Sequence, residues 1–570
     1  MPELRFQTLV AALFALPLHG AIAAGPVQVL YNATVYTADA EQRVAGAIAF
    51  DADGIIRAVG DSGALRARFG DGIDLGGATV LPGFHDVHLH AVEAGVNSVF
   101  CALPQFGGAT RYRRALRACA ADWAADDWVI AAGVNMAALL RTVDDPRALA
   151  DAVVADKPLL VIDDLGHGAW ANTRALEVVG FDRIADSPPG GLVLRNARGR
   201  PNGVVLESAA QTLIDAALPQ ADWLETTTEL FAEALAELAR NGITTVSDAG
   251  GYWPRGHHRV WQRTEAAGDL TVRASNALYL YPDRDPDAQI ARLRQLKTDG
   301  ESALHRFDQV KIYVDGILSQ TTGRVATPYA VDLGLSVPGA SGFDYFDTVV
   351  LQRYARELSA LGFSLHFHAT GELGVRAALD AAAQAAPASG PHRITHVYRV
   401  HPNDRDRFAE LGVFADFQIA PSTQSGSYQR YIASLLGVRA PDLMPLNALH
   451  AAGAPITISS DWDADTLSPL VKLATVFTQH PTLSRADVLD MMTTNGAALL
   501  RQGATTGSLE VGKRADIAIV DGDVLNARPG AIAAFDIVAT VLGGRVVYHR
   551  DPEWPFPDAA SWHPRVQVGD

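Results

Sequence analysis

The sequence predicts an α/β protein: a (β/α)8, TIM-like barrel with a discontinuous small β-sandwich and an α/β insertion after the first barrel strand. Three observations carry this prediction. Short apolar strands alternate with helical stretches through the middle of the chain, the rhythm of a parallel sheet. Eight such strands can be counted, the number that closes a barrel. The two chain ends carry β runs too small to stand alone, which invites their pairing into one unit.

The elements follow in order. Residues 1–23 read as an export signal, with the ten-residue apolar run Leu9–Leu18 after Arg5 and an A-x-A pattern at Ala21-Ile22-Ala23. That run is shorter than the ~20 apolar residues a membrane helix needs. An exported protein, periplasmic or secreted and without a membrane span, is expected. Residues 26–80 supply strands at Val27–Tyr36, Ala45–Phe50 and Ile55–Val59, and residues 507–550 answer with Asp516–Val520 and a hairpin, Ile537–Leu542 and Arg545–His549, joined at Gly543-Gly544.

The barrel takes 81–96 plus 207–506. Its strands are expected at Thr79–His90, Thr244–Ser247, Val272–Leu280, Val310–Val314, Ser364–His368, Ile394–Val397, Val413–Ile419 and Ile456–Ser460. Most spacings suit a βαβ unit. The first gap is far too long for a loop, so 97–206 must carry structure of its own. It holds a helix-like run at Thr110–Trp123, apolar runs at Trp128–Ala132 and Leu159–Ile162, and a strand pair at Gly191–Leu194 and Gly203–Leu206. An insertion after the first strand rises from the catalytic face of a barrel, so it is expected to act as a lid that shapes the substrate pocket. Aromatic residues there, Phe100, Phe106, Tyr112, Trp123, Trp128 and Trp170, suit either an apolar substrate group or a core.

Composition narrows the function. With 47 Lys and Arg against 64 Asp and Glu, the net charge of −17 argues against a nucleic-acid binder. The two cysteines, Cys101 and Cys119, are too few for a disulfide framework or a cysteine-ligated zinc ribbon, so any metal must use histidine and carboxylate. Both fall in the insertion, where they can pair in an oxidising compartment or stay as buried thiols.

Metal-ligand side chains recur at strand ends. His88 and His90 form an H-x-H pair, and residues i and i+2 share one face of a strand. Lys311 lies inside the apolar fourth strand, where a lysine is costly unless paired or chemically altered. His366 and His368 share a face of the fifth strand, and spacing does not choose between them, although His368 is nearer the rim. His396 ends the sixth strand, and Asp461 follows the eighth. A lone histidine is usually a satisfied core residue, but five strand ends aimed at one rim point to a metal centre.

These segments resemble the amidohydrolase superfamily, and within it the family three group of N-substituted formamide deformylase-like proteins. The resemblance runs through Leu81-Pro82-Gly83-Phe84-His85-Asp86-Val87-His88-Leu89-His90, Val310-Lys311-Ile312-Tyr313-Val314-Asp315-Gly316, His368-Ala369-Thr370-Gly371-Glu372, Arg393-Ile394-Thr395-His396, Ser460-Asp461-Trp462 and Gly507-Ser508-Leu509-Glu510-Val511-Gly512-Lys513-Arg514-Ala515-Asp516. It implies metal ligation by His88, His90, Lys311, His368, His396 and Asp461, with one or two divalent ions and carbamylation of Lys311 where two ions bind. His366 then returns to a structural role. Gly166-His167-Gly168-Ala169-Trp170-Ala171-Asn172-Thr173 resembles a further family segment, which implies that His167 contacts a substrate carbonyl; it could equally sit at the start of the helix near Asn172. Asp315 and Glu207 also match family-like positions, where each could hold a loop. Glu372 and Trp462-Asp463-Ala464-Asp465 depart from the pattern beside the pocket, which bears on specificity.

The expected activity is a metal-dependent hydrolase acting on a small-molecule amide, N-acyl, N-formyl or cyclic amide, a C–N bond other than an ordinary peptide bond. Zn²⁺ suits the imidazole-rich set best. Asp461 is expected to take the proton of the activated water and pass it to the leaving nitrogen. Hydrolysis of lactones or organophosphate esters is the nearest alternative, and an inactive exported ligand-binding barrel the alternative of another class. A homo-oligomer is compatible with either.

Overall fold

The computed structural model describes residues 27–551 except 42, 124, 299, 301–303, 336–339, 387–388 and 439–441. The expected signal, residues 1–23, lies outside the described residues.

Eight parallel strands form one sheet in sequential order: Phe84–Leu89, Ile243–Asp248, Arg273–Tyr279, His305–Tyr313, Ser364–Ala369, Arg393–His396, Phe414–Phe417 and Ile456–Ile458. Most of their residues are buried, as expected of strands covered on both faces by barrel interior and outer helices. The first and eighth strands meet beyond their ends. Asp461 donates its backbone N–H to the His88 carbonyl at 2.8 Å, and His90 donates to the Trp462 carbonyl at 2.5 Å. The seam of the barrel therefore coincides with the predicted ligands.

The chain ends do pair. Thr79–Pro82 lies antiparallel to Ile517–Val520, with Val80 opposite Ile519, in a six-stranded sheet that also contains Thr34–Tyr36 and the terminal hairpin. A second sheet contains Ile56–Gly60, Ala47–Phe50, Gln28–Tyr31 and Ile73–Asp74. Leu30, Ile48 and Phe50 from one sheet share a buried core with Val80, Ile517 and Val541 from the other. Burial of such side chains contributes roughly 1.5–3 kcal/mol each relative to exposure.

Two long strands expected from sequence are broken. Thr79–His90 divides at Gly83, so Thr79–Pro82 joins the end sheet and Phe84–Leu89 begins the barrel. A Cβ at Gly83 would lie 2.1 Å from Thr244 Oγ1, and the Gly83 N–H donates to the Asp516 carbonyl at 2.9 Å. The crossing from end sheet to barrel thus needs glycine, and it falls two residues beyond the expected boundary. Val27–Tyr36 likewise divides at Asn32, whose φ of 54° is tolerated by asparagine better than by most residues and redirects the chain between the two sheets.

The insertion forms a six-stranded mixed sheet in the order Gly191–Arg195, Pro201–Glu207, Gly168–Ala171, Leu159–Asp163, Val129–Val134, Cys101–Ala102. The helix Ala109–Asp122 is joined to its edge by a Cys101–Cys119 disulfide with a Cα separation of 5.7 Å. Ala209 and Leu213, on the helix Ser208–Ala217, pack with Val205 and Leu160 of this sheet, so that helix buries its face on the insertion although it was expected with the barrel. No described helix is long and apolar enough to cross a membrane.

Candidate metal centre

The strand ends bring the predicted residues together. His88 Nε2 lies 3.0 Å from Asp461 Oδ1, His90 Nε2 lies 3.5 Å from the same oxygen, and His396 Nδ1 lies 3.8 Å from Asp461 Oδ2. The His368 ring centroid is 4.4 Å from that of His396. Lys311, fully buried, places Nζ 3.3 and 3.4 Å from the two ring nitrogens of His88. Burial opposes ionisation of Asp461, but the imidazoles of His88, His90 and His396 outweigh it and hold the carboxyl well below the usual carboxylate range. Burial lowers the Lys311 amine to about 7, so the ammonium form carries a desolvation cost there.

Hydrogen bonds fix which ring nitrogens face the centre. His90 Nδ1 lies 2.8 Å from Glu93 Oε2, leaving Nε2 toward Asp461. His368 Nε2 lies 3.2 Å from the Gly316 carbonyl, so Nε2 donates and Nδ1 keeps its lone pair. Among the described residues that Nδ1 is buried with no hydrogen-bond partner. Arg393 donates to His366 Nδ1 at 2.6 Å, so His366 Nε2 carries the proton and donates to His88 Nδ1 at 2.7 Å. His366 thus orients His88 from beneath, which agrees with its structural reading.

The donor set fits a divalent cation. His88, His396 and Asp461 each offer a ligand atom, all within 4.8 Å of one another. The orphaned lone pair of His368 and the two carboxylates flanking His90 add to the fit: burial opposes charge on His90, yet Asp461 and Glu93 raise its pKa to about 10, a field that attracts positive charge. An imidazole must be neutral to act as a ligand, and burial, reinforced by Lys311, holds His88 well below its ordinary pKa.

The polypeptide is strained at this rim. His396, Val397, Asp461 and Glu207 have φ values of 76°, 45°, 56° and 59°. Such conformations cost about 1–3 kcal/mol each and persist where surrounding bonds impose them.

His167 approaches from the insertion, its ring centroid 5.3 Å from that of His368. Its Nδ1 lies 2.6 Å from Glu207 Oε2, and Glu207 also accepts from Thr322 at 2.5 Å and Tyr345 at 2.6 Å. Burial disfavours charge on His167, but Glu207 overcomes it and raises the pKa. Glu207 therefore anchors His167 as well as its own loop. Asp315 accepts backbone N–H bonds from Thr370, Gly371 and Arg324 and holds the loop after His368, the structural alternative for that residue. Glu372 pairs with Arg399 at 2.9 Å.

Sequence reasoning missed a polar chain behind His90. Glu93 Oε1 meets Arg255 at 3.1 Å, and Arg255 Nε meets Asp215 at 2.7 Å. The i,i+3 spacing of His90 and Glu93 was the one available signal. Tyr313 was also missed; its ring stacks on His368 with centroids 4.2 Å apart. Among the insertion aromatics, Tyr112 and Trp170 are fully buried core, whereas Phe100 and Phe106 line cavities beside the centre.

Comparison with known proteins agrees with this fold. Residues 71–548 match the amidohydrolase family. The chain is 25% identical over 552 residues to an N-substituted formamide deformylase of Arthrobacter pascens, covering 91% of this chain and 98% of the relative. It is 24% identical over 552 residues to the protein LONG AFTER FAR-RED 3 of Arabidopsis thaliana, covering 91% of each. In fold it resembles metal-dependent hydrolases of Pyrococcus horikoshii, at TM-score 0.68, 20% identity and 88% and 99% coverage, and Pyrococcus furiosus, at TM-score 0.66, 22% identity and 88% and 100% coverage. With the family match spanning the barrel, the insertion and the carboxy-terminal strands of the end sheets, the chain belongs to the amidohydrolase family.

Proposed function

We propose that the protein hydrolyses a C–N bond other than an ordinary peptide bond in a small-molecule amide. The observation that carries this reading is the meeting of Asp461 with His88 and His396 at the barrel seam. His88, His90, His368, His396 and Asp461 would hold a divalent metal, for which Zn²⁺ is the best match to the donors. Such an ion supplies Lewis acidity and lowers the pKa of water to roughly 7.

The chain's own groups do the rest. Asp461 Oδ2, the oxygen not engaged by His88, takes a proton from the attacking water and returns it to the leaving nitrogen, so the C–O bond forms, the C–N bond breaks and the amine departs neutral. His167, oriented by Glu207, donates to the substrate carbonyl oxygen as negative charge develops there. Lys311 is proposed to react as a free amine with carbon dioxide, forming an N–C bond and losing a proton, which would give an anionic oxygen ligand for a second ion. Uptake of labelled bicarbonate, followed by carbon NMR, tests this.

Export is supported by the Cys101–Cys119 bond, since disulfides persist in oxidising compartments. Amino-terminal sequencing of the mature protein should find a start just after residue 23. An intact Met1 in exported material would contradict it.

The activity test is a panel of N-acyl amino acids, N-formyl amines, cyclic amides, lactones and organophosphates with the zinc-loaded protein. Amide turnover lost in Asp461→Asn supports the proposal. Turnover confined to lactones or phosphate esters would overturn it.

A further inference from the structure

Two cavities meet at the candidate centre. One, of about 370 Å³, and another, of about 560 Å³, are both bounded by His167, His396 and Asp461. They also share Asp164, Leu165 and Ala464, and their remaining walls are separate. The smaller is walled by Phe100 and Trp223, whose ring centroids are 6.2 Å apart, with Ile162 and Leu218. Glu93 and Arg255 pair with each other, and Asp163, Asp164 and Asp463, which also line it, accept from Gln320, Gln105 and Asn97, so the cavity joins this aromatic wall to a polar one whose charges are engaged. The larger is walled by Phe106, Tyr398, Tyr428 and Tyr431, with Arg141 at its edge. Both draw walls from the insertion, through Phe100 and Phe106.

We infer that the substrate is two-sided: an amide with a substantial group on the acyl carbon and another on the nitrogen, in contrast to a formamide or a primary amide. The inference rests on the proposed hydrolysis. A scissile bond at the shared edge directs its two substituents into different cavities. A formyl hydrogen would leave one cavity without a ligand group, and a primary amide would leave the other. Each buried methylene is worth about 0.8 kcal/mol, or about fourfold in affinity, so several carbons on either side give a large preference. Both volumes are of the size that accommodates small-molecule groups, a range of roughly 300–1,000 Å³ for whole ligand sites.

The test uses the zinc-loaded full chain and two amide series, the first of anilides and the second of benzamides. In one the acyl group grows from formyl through acetyl and butyryl to benzoyl; in the other the amine grows from ammonia through methylamine to benzylamine. Ketone isosteres, in which carbon replaces the amide nitrogen, provide a parallel binding measurement by calorimetry. The expected result is a rise in kcat/KM, and in isostere affinity, of at least about tenfold along each series. Trp223→Ala should flatten one series and Tyr428→Ala the other. Trp223→Phe and Phe106→Ala serve as milder variants, Phe106 being 56% exposed. Formanilide hydrolysed as well as its longer homologues, or both variants flattening the same series, would overturn the inference. Amide turnover with a one-sided preference defeats the two-sided site and leaves the hydrolase reading standing. Two-sided isostere binding without amide turnover does the reverse.

Discussion

At the scale of single residues, Asp461 sits where the proposed metal ligation and the proposed proton transfer coincide. Asp461→Asn keeps a neutral oxygen donor while removing the base, so metal content should stay near that of the parent and kcat should fall about 10²–10⁴-fold. Near-normal turnover would remove Asp461 from this role. Glu93 acts through His90, which it orients. Glu93→Gln should weaken metal affinity about 10–100-fold, read by competition with a chelator, since partners behind a ligand commonly have effects of that size.

His392 gives a pH signature remote from the centre. Leu365 donates its backbone N–H to His392 Nδ1 at 3.0 Å, so the ring must keep a lone pair there. Burial, aided by Arg501, lowers its pKa to about 4 from 6.5. The unfolded chain therefore binds a proton below pH 6.5 that the folded protein refuses until about 4, and this group's contribution to stability falls as pH drops through that window. Replacement by asparagine keeps an acceptor and removes the titration. The unfolding free energy of His392→Asn relative to the parent should rise as pH falls from 6.5 to 4, by about 1.4 kcal/mol per unit; a constant difference would contradict the assignment.

At the scale of elements, the barrel strands were legible because continuous burial on both faces leaves unbroken apolar runs ending in polar ligands, as in Ile456–Ile458 followed by Asp461. The strand break at Gly83 was not legible, because it depends on the approach of Thr244, far along the chain. The chain Glu93–Arg255–Asp215 was hidden for the same reason: its partners are separated by 162 and 40 residues. His366 and His368 share a face, and only the Arg393 bond to one and the Gly316 bond to the other distinguish orienting residue from ligand candidate. The Cys101–Cys119 bond closes a loop of 18 residues at the edge of the insertion. Cys101→Ser with Cys119→Ser should lower stability by about 3 kcal/mol in denaturant titration. An unchanged midpoint would mean that the helix Ala109–Asp122 is held by packing alone.

At the scale of the molecule, three bodies of structure converge on one rim. The end sheets depend on both termini: Thr79–Pro82 is paired by Ile517–Val520, directly before the strand that carries His88. The insertion brings His167 and the walls of two cavities to the same place. The proposed metal centre at the seam, where Asp461 and His88 join the last strand to the first, is what gives this convergence chemical meaning. Metal analysis of the purified full-length protein tests that claim most directly. At least about one equivalent of zinc, manganese or iron per chain is predicted, and its loss in His88→Ala; less than about 0.3 equivalents in the parent, even after incubation with metal, would contradict it.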